Sequence, residues 1–133
     1  MYNLFISHSW SYSNQYDKLV ELLNSDIEFD YKNYSVPKND PIHKASNTEL
    51  LKKAIKEQMA HASCVLVLAG VYSTYSKWIN IELSLAKKGF NVPKKIIAVE
   101  PWGSEKTSIV VKQYADEIVK WNSKSIINAI KQI

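Results

Sequence analysis

Apolar positions along this chain come in short blocks whose period switches between two residues and about 3.6. Residues 2–7, YNLFIS, make a compact apolar run that predicts a buried strand. Residues 13–25 carry Tyr16, Leu19, Val20, Leu22 and Leu23 at helical spacing, with Ser13 as the expected N-cap. Residues 27–35 alternate Ile27, Phe29 and Tyr31 against Glu28, Asp30 and Lys32, the pattern of a strand with one solvated face near a sheet edge. A loop over 35–46 holds two of the four prolines. Residues 46–62 then repeat Leu50, Leu51, Ala54, Ile55, Gln58 and Met59 at helical intervals, with Ser46 or Asn47 as cap. Residues 63–70, SCVLVLAG, are short, continuous and β-branched, the strongest buried strand in the chain. A helix over 77–89 closes at Gly89, an expected C-cap. A fourth strand over 94–103 runs into a Pro/Gly loop, and 104–115 reads as a short helix or mixed segment. A fifth strand over 116–121 and a terminal helix over 123–133 complete the chain.

Strands and helices alternate from end to end without repeats, linkers or low-complexity tracts. The pattern predicts one α/β domain over 1–133, with a parallel sheet of five strands and helices on both faces. Crossovers between parallel strands are right-handed. Ligands of such sheets bind beyond the carboxyl ends of the strands. The loops expected on that rim are SHSWSYS, SVPKNDPI, VYSTYSKW and EPWGSEK, rich in Ser, Tyr, Trp and Asn.

One helix breaks its own pattern. With Ile79 at zero and about 100° per residue, Leu83 falls near 40°, Ala86 near 340°, Trp78 near 260° and Leu85 near 240°. Glu82 falls near 300°, inside that apolar arc, while Asn80, Ser84, Lys87 and Lys88 take the other side. A carboxylate on a half-buried face is costly unless it is hydrogen-bonded or used. It can stabilise the oxocarbenium-like centre formed when an N-glycosidic bond breaks, as in glycosidases. Equally, it can sit at the helix start, pair with a backbone N–H or a lysine, and do no chemistry.

Composition narrows the field. With 133 residues, 46% hydrophobic and 23% charged, the chain is long enough to bury a core without disulfides or a structural metal. The single cysteine, Cys64, lies within an apolar run and reads as a small core residue, which fits a reducing cytoplasmic setting. His8, His43 and His61 have no metal-ligand spacing. The net charge of +4 spreads over solvated faces and is weak ground for a nucleic-acid role. No apolar run is long enough for a transmembrane helix, and MYNLFISHSW is too short and polar for a signal peptide. With three glycines there is neither a Gly-x-Gly-x-x-Gly turn nor a Walker A loop, which argues against a Rossmann-type dinucleotide grip and a P-loop kinase. FISHSW brings no acids to the end of strand one, as a phospho-accepting receiver domain needs. Hydroxyls and indoles on the rim suit a ribose and a flat base.

FISHS at the end of strand one, the Pro-containing loop after strand two, and ASCVLVLAGVYSTYSKWINIEL across strand three and its helix together resemble a bacterial TIR-like domain. The likeness is to the group that includes the antiphage Thoeris TIR proteins. FISHS is similar to the family's F-I-S-x-S, and SKWINIEL to its W-x-x-x-E. The resemblance implies a flavodoxin-like sheet, order 2-1-3-4-5, and cleavage of NAD at the nicotinamide–ribose bond. NAD is then the substrate, with no cofactor or metal. It implies Glu82 as the catalytic glutamate. Phe5, Ile6, Ser7, His8 and Ser9 would line the nicotinamide side, Trp78 would wall the cleft one turn before Glu82, and the stretch from Ser35 to Ile42 would be the loop used in assembly and substrate access. It further implies homo-oligomers through TIR–TIR contacts and a cyclic ADP-ribose-type signal read by a separate effector protein. The same residues have plainer readings: Phe5 and Ile6 as core, Ser7 and Ser9 as turn residues, Trp78 as a helix anchor. Two departures stand out, His8 where many TIR domains carry Tyr, and VPKNDPI in place of an Arg/Asp-Pro-Gly loop. A non-catalytic interaction module and a nucleoside deoxyribosyltransferase remain as rival functions.

Overall fold

In the computed structural model, which describes residues 1–7, 13–35, 48–69, 77–100 and 109–132, ten elements alternate as the periodicity predicts. They are β1 (Tyr2–Ser7), α1 (Ser13–Asn24), β2 (Tyr31–Asn33), α2 (Thr48–Met59), β3 (Cys64–Leu68), α3 (Lys77–Lys88), β4 (Lys95–Val99), α4 (Ile109–Tyr114), β5 (Glu117–Val119) and α5 (Ser123–Lys131). They build one five-stranded sheet in the order β2-β1-β3-β4-β5. All four pairings are parallel.

The pleat splits the core into two layers. Leu4 and Ile6 of β1, Cys64, Leu66 and Leu68 of β3, and Ile97 and Val99 of β4 face α1 and α5, where they meet Leu19, Leu23, Ile126 and Ile130. The intervening Phe5, Val65, Val67, Ile96 and Ala98 face α2, α3 and α4, against Ile55, Met59, Ile79, Leu83 and Val111. A strand covered on both faces reads as one continuous apolar run, which is why CVLVL is buried at every position. Each large side chain sealed this way contributes about 1.5–3 kcal/mol over an exposed one.

Three expectations need correction. The strand expected over 27–35 shrinks to Tyr31–Asn33, because the chain turns at Asp26. Asp26 accepts the Glu28 N–H on its side chain (3.0 Å) and the Phe29 N–H on its carbonyl (3.1 Å). That turn leaves Ile27 exposed, while Phe29 is buried and stacks on Tyr2 and Tyr31 at 5.5 and 5.4 Å between ring centroids. Leu50, expected on the inner face of α2, is more than half exposed, whereas Ile55 and Met59 of that stripe are sealed against the sheet. Ser13 is the first residue of α1 rather than its cap. The expected caps of α2, Ser46 and Asn47, lie outside the described residues.

Helix α3 is fixed at its far end. Gly89 N–H closes on the Leu85 carbonyl at 2.8 Å, and Lys94 N–H bonds the Ala86 carbonyl at 2.8 Å. Lys87 Nζ donates to the Lys94 carbonyl (3.2 Å) and pairs with Asp116, whose Oδ2 also accepts the Ile96 N–H at 2.8 Å. Lys94 reaches the Ala62 carbonyl at 2.7 Å while lying 4.8 Å from the Phe90 ring centre. These contacts set the depth and rotation of α3 on the sheet, and with them the position of Glu82.

Candidate functional site

Among the described residues the core encloses three polar side chains, Ser7, Ser35 and Glu82. All three belong to the set the sequence singled out. Glu82 is 1% exposed, on the second turn of α3. Its neighbours on that face, Ile79, Leu83 and Ala86, are sealed completely, as the angular arithmetic expects. Ile81 is buried as well, so the apolar arc is wider than that arithmetic allowed. Glu82 makes interactions within the fold. A carboxylate removed from water in this way acts on a nearby charge far more strongly than one on the surface.

Ser7 closes β1 at the carboxyl edge of the sheet, in register with Val67 of β3. Its position two residues after Phe5 places it on the α3 side of the sheet, the side that carries Glu82. Its hydroxyl is fully buried and has no hydrogen-bond partner among the described residues. Phe5 lies on the same side and is fully buried there. Ile6 points the other way, into the α1/α5 layer. The pleat therefore brings Phe5, Ser7 and Glu82 to one side and sets Ile6 apart from them.

Ser35 stands just beyond β2. Its Oγ accepts the Ile6 N–H at 3.1 Å and donates to Asn33 Oδ1, which also accepts the Ser35 N–H at 2.9 Å. The amide of Asn33 continues to Tyr16 Oη at 2.7 Å. Sequence reasoning passed over Asn33 and read Tyr16 only as part of the apolar stripe of α1. The available signal was an asparagine inside a strand, where this residue is depleted, two positions before a serine whose N–H it can hold. Trp78 lies in the first turn of α3, with its side chain outside the described residues. His8, Ser9 and the rest of the 36–42 loop also lie outside them.

Three groups have shifted acidities, Cys64 and Tyr31 upward and Asp116 downward. Burial pushes the Cys64 thiol up to about 12; Lys95 offsets this slightly, and Asp116 and Glu117 add to it. The thiol is therefore a protonated core group, as its apolar run implies. Burial, aided by Tyr16, also raises the Tyr31 hydroxyl. Among the described residues no group of three or more His, Cys, Asp or Glu is arranged to hold a metal, and no helix is long and apolar enough to cross a membrane.

A parallel five-stranded sheet ordered 2-1-3-4-5, with helices on both faces, defines a flavodoxin-like α/β domain, here with a buried acid on the helix after β3. The chain belongs to the family described as Thoeris protein ThsB, TIR-like domain, whose model matches residues 5–106. That span runs from β1 past β4 and contains Phe5, Ser7, Ser35 and Glu82. No curated protein matches the chain in sequence. Among solved structures, the chain is similar to the CMP N-glycosidase BcmB of Clostridium botulinum, at 13% identity and a TM-score of 0.47, over 98% of this chain and 99% of that one.

Proposed function

We propose that this chain, folded as one domain over 1–133, is a TIR-like enzyme that breaks the nicotinamide–ribose bond of NAD. It converts the ADP-ribosyl half into a cyclic signal that a separate effector protein reads in antiphage defence. The observation that carries the reading is Glu82, a carboxylate 1% exposed on the helix that follows β3. Membership of the Thoeris ThsB family supports the setting.

The chemistry asks little else of the chain. The C1′–N bond breaks and its electron pair leaves with nicotinamide, whose ring charge is thereby neutralised. The positive charge passes to C1′ and the ring oxygen. A carboxylate held where water is scarce stabilises that cation without having to reorganise. A nucleophile in the adenosine half then attacks C1′ and gives up its proton, closing the ring; water in its place would give linear ADP-ribose. Phe5, Ser7, His8, Ser9 and Trp78 frame the nicotinamide end in this reading. Pairing of two copies through TIR–TIR contacts keeps water out and favours the cyclic product.

The test is to incubate the purified chain with NAD, at concentrations high enough for self-association, and to separate nicotinamide from the ribosyl products. Glu82→Gln should lower nicotinamide release by about 10²-fold or more, the scale of losing one preorganised electrostatic group, while far-UV circular dichroism stays that of the parent. Equal turnover by both proteins would remove Glu82 from the chemistry. Absence of turnover by the parent would remove the NAD reading; base exchange on deoxynucleosides would then establish the deoxyribosyltransferase instead, and self-association without turnover the interaction module.

A further inference from the structure

We propose that Asn33 is a positioning residue of this site, acting through Ser35 on the end of β1. The proposal rests on the catalytic reading above and adds a residue that neither family likeness nor burial selects.

The geometry begins with an interrupted ladder. β1 and β2 are in register at Leu4 and Asn33, and the Tyr34 N–H bonds the Leu4 carbonyl at 2.7 Å. In a regular parallel ladder the next rung would run from the Ile6 N–H to the Tyr34 carbonyl. Here the Ile6 N–H goes instead to Ser35 Oγ at 3.1 Å. A side chain replaces the main chain at the last rung, where the chain leaves β2 after only three residues.

That hydroxyl is itself held. Its proton lies on Asn33 Oδ1, which also takes the Ser35 N–H. Because a backbone N–H can only donate, Oδ1 must face Ser35, and Nδ2 must face Tyr16 Oη, 2.7 Å away on α1. One exposed amide thus ties α1 and the end of β2 to the main chain of β1 one residue before Ser7. Ser35 is committed to scaffolding on both its donor and one acceptor position. Its contribution is to hold the end of β1, beside Ser7, in place rather than to touch the reacting atoms.

The variants are Asn33→Ala, Asn33→Asp, Ser35→Ala and Ser35→Thr in the full chain, assayed for NAD turnover alongside hydrogen exchange of the Ile6 amide. Asn33 is exposed, so its truncation leaves no core cavity. Asn33→Ala and Ser35→Ala should each lower kcat/KM about tenfold, mostly in kcat, since a misplaced group affects orientation more than binding. The double variant should lose no more than the worse single one, because both break one relay. Ser35→Thr keeps the hydroxyl and Asn33→Asp keeps the acceptors, so both should stay within about twofold of the parent. The Ile6 amide should exchange about tenfold faster in the alanine variants, while the Val67 amide is unchanged. Parental kinetics and Ile6 exchange in the alanine variants would overturn the proposal. So would losses that add in the double variant, or a loss that Ser35→Thr does not rescue. If the parent releases no nicotinamide from NAD, the substrate reading fails by itself, and Ile6 exchange alone decides whether Asn33 holds the end of β1.

Discussion

Raising the pH from 8 to 10.5 should cost this protein about 2 kcal/mol of stability through one side chain, Cys64. The residue opens β3 in the α1/α5 layer and is 0% exposed. Burial moves its thiol from an ordinary 9.0 to about 12; the Lys95 charge pulls it back somewhat, and Asp116 and Glu117 push it further up. Between those two values the unfolded chain has lost the proton and the folded chain keeps it. The unfolded state therefore binds fewer protons, and stability falls as pH rises, by about 1.4 kcal/mol per unit. The loss is about 1.4 kcal/mol at pH 10, about 2 at pH 10.5, and about 4 once pH passes the folded value. Urea unfolding of the parent and of Cys64→Ala at pH 8, 9, 10 and 10.5 measures it. The variant starts lower because it leaves a small void, but its stability should decline less steeply with pH by these amounts. Tyr31, whose hydroxyl is also raised by burial, titrates in both proteins and cancels in the difference. Parallel pH dependences in the two proteins would refute the reasoning, because they would mean that the folded thiol ionises as readily as a free one.

Two further predictions concern the anchoring of α3. In Gly89→Ala the new Cβ would stand 2.7 Å from the Leu85 carbonyl oxygen, a main-chain atom that cannot swing aside, so the last turn must shift. The variant should lose about 1–3 kcal/mol in thermal unfolding, and an unchanged melting temperature would contradict the close approach. For Asp116, burial alone would raise the carboxyl, but the hydrogen bond from Lys87, the Ile96 N–H and the charges of Lys87 and Lys95 together hold it below its usual 3.8. Its contribution is present above about 3.8 and is lost as pH falls through the lower folded value. With a side chain 42% exposed, it amounts to less than about 1 kcal/mol. Asp116→Asn should flatten the acid limb of the stability curve by that amount, and an unaltered limb would dismiss the pairing as an energetic term.

The α3 acid was legible in advance because helical rotation is simple arithmetic on consecutive residues. Glu82 had to share a face with Ile79, Leu83 and Ala86 once 77–88 was helical, and all four are buried. Ser7 was legible as the end of an apolar run. The length of β2 was not, because the alternation of Ile27, Phe29 and Tyr31 continues through a turn that Asp26 imposes on the main chain. The exposure of Leu50 was not legible either: helical spacing says which residues share a stripe but not how much of it the neighbouring layer covers. The two long bonds of the Ser35–Asn33 cluster were missed for another reason. Ser35 bonds Ile6 across 29 residues, and Asn33 bonds Tyr16 across 17, so no local window contains either pair.

The sequence by itself therefore determined the succession of strands and helices, the apolar strand runs and the face on which Glu82 lies. Each of these follows from the spacing of neighbours along one short segment. Tertiary structure alone decided the parallel register and which helices cover the Phe5–Ser7 side of β1 and which the Ile6 side. It also decided that the last rung of the β1–β2 ladder is made by a serine side chain. Those features depend on which strands lie side by side and where the chain turns away, and that is set by packing the two apolar layers at once.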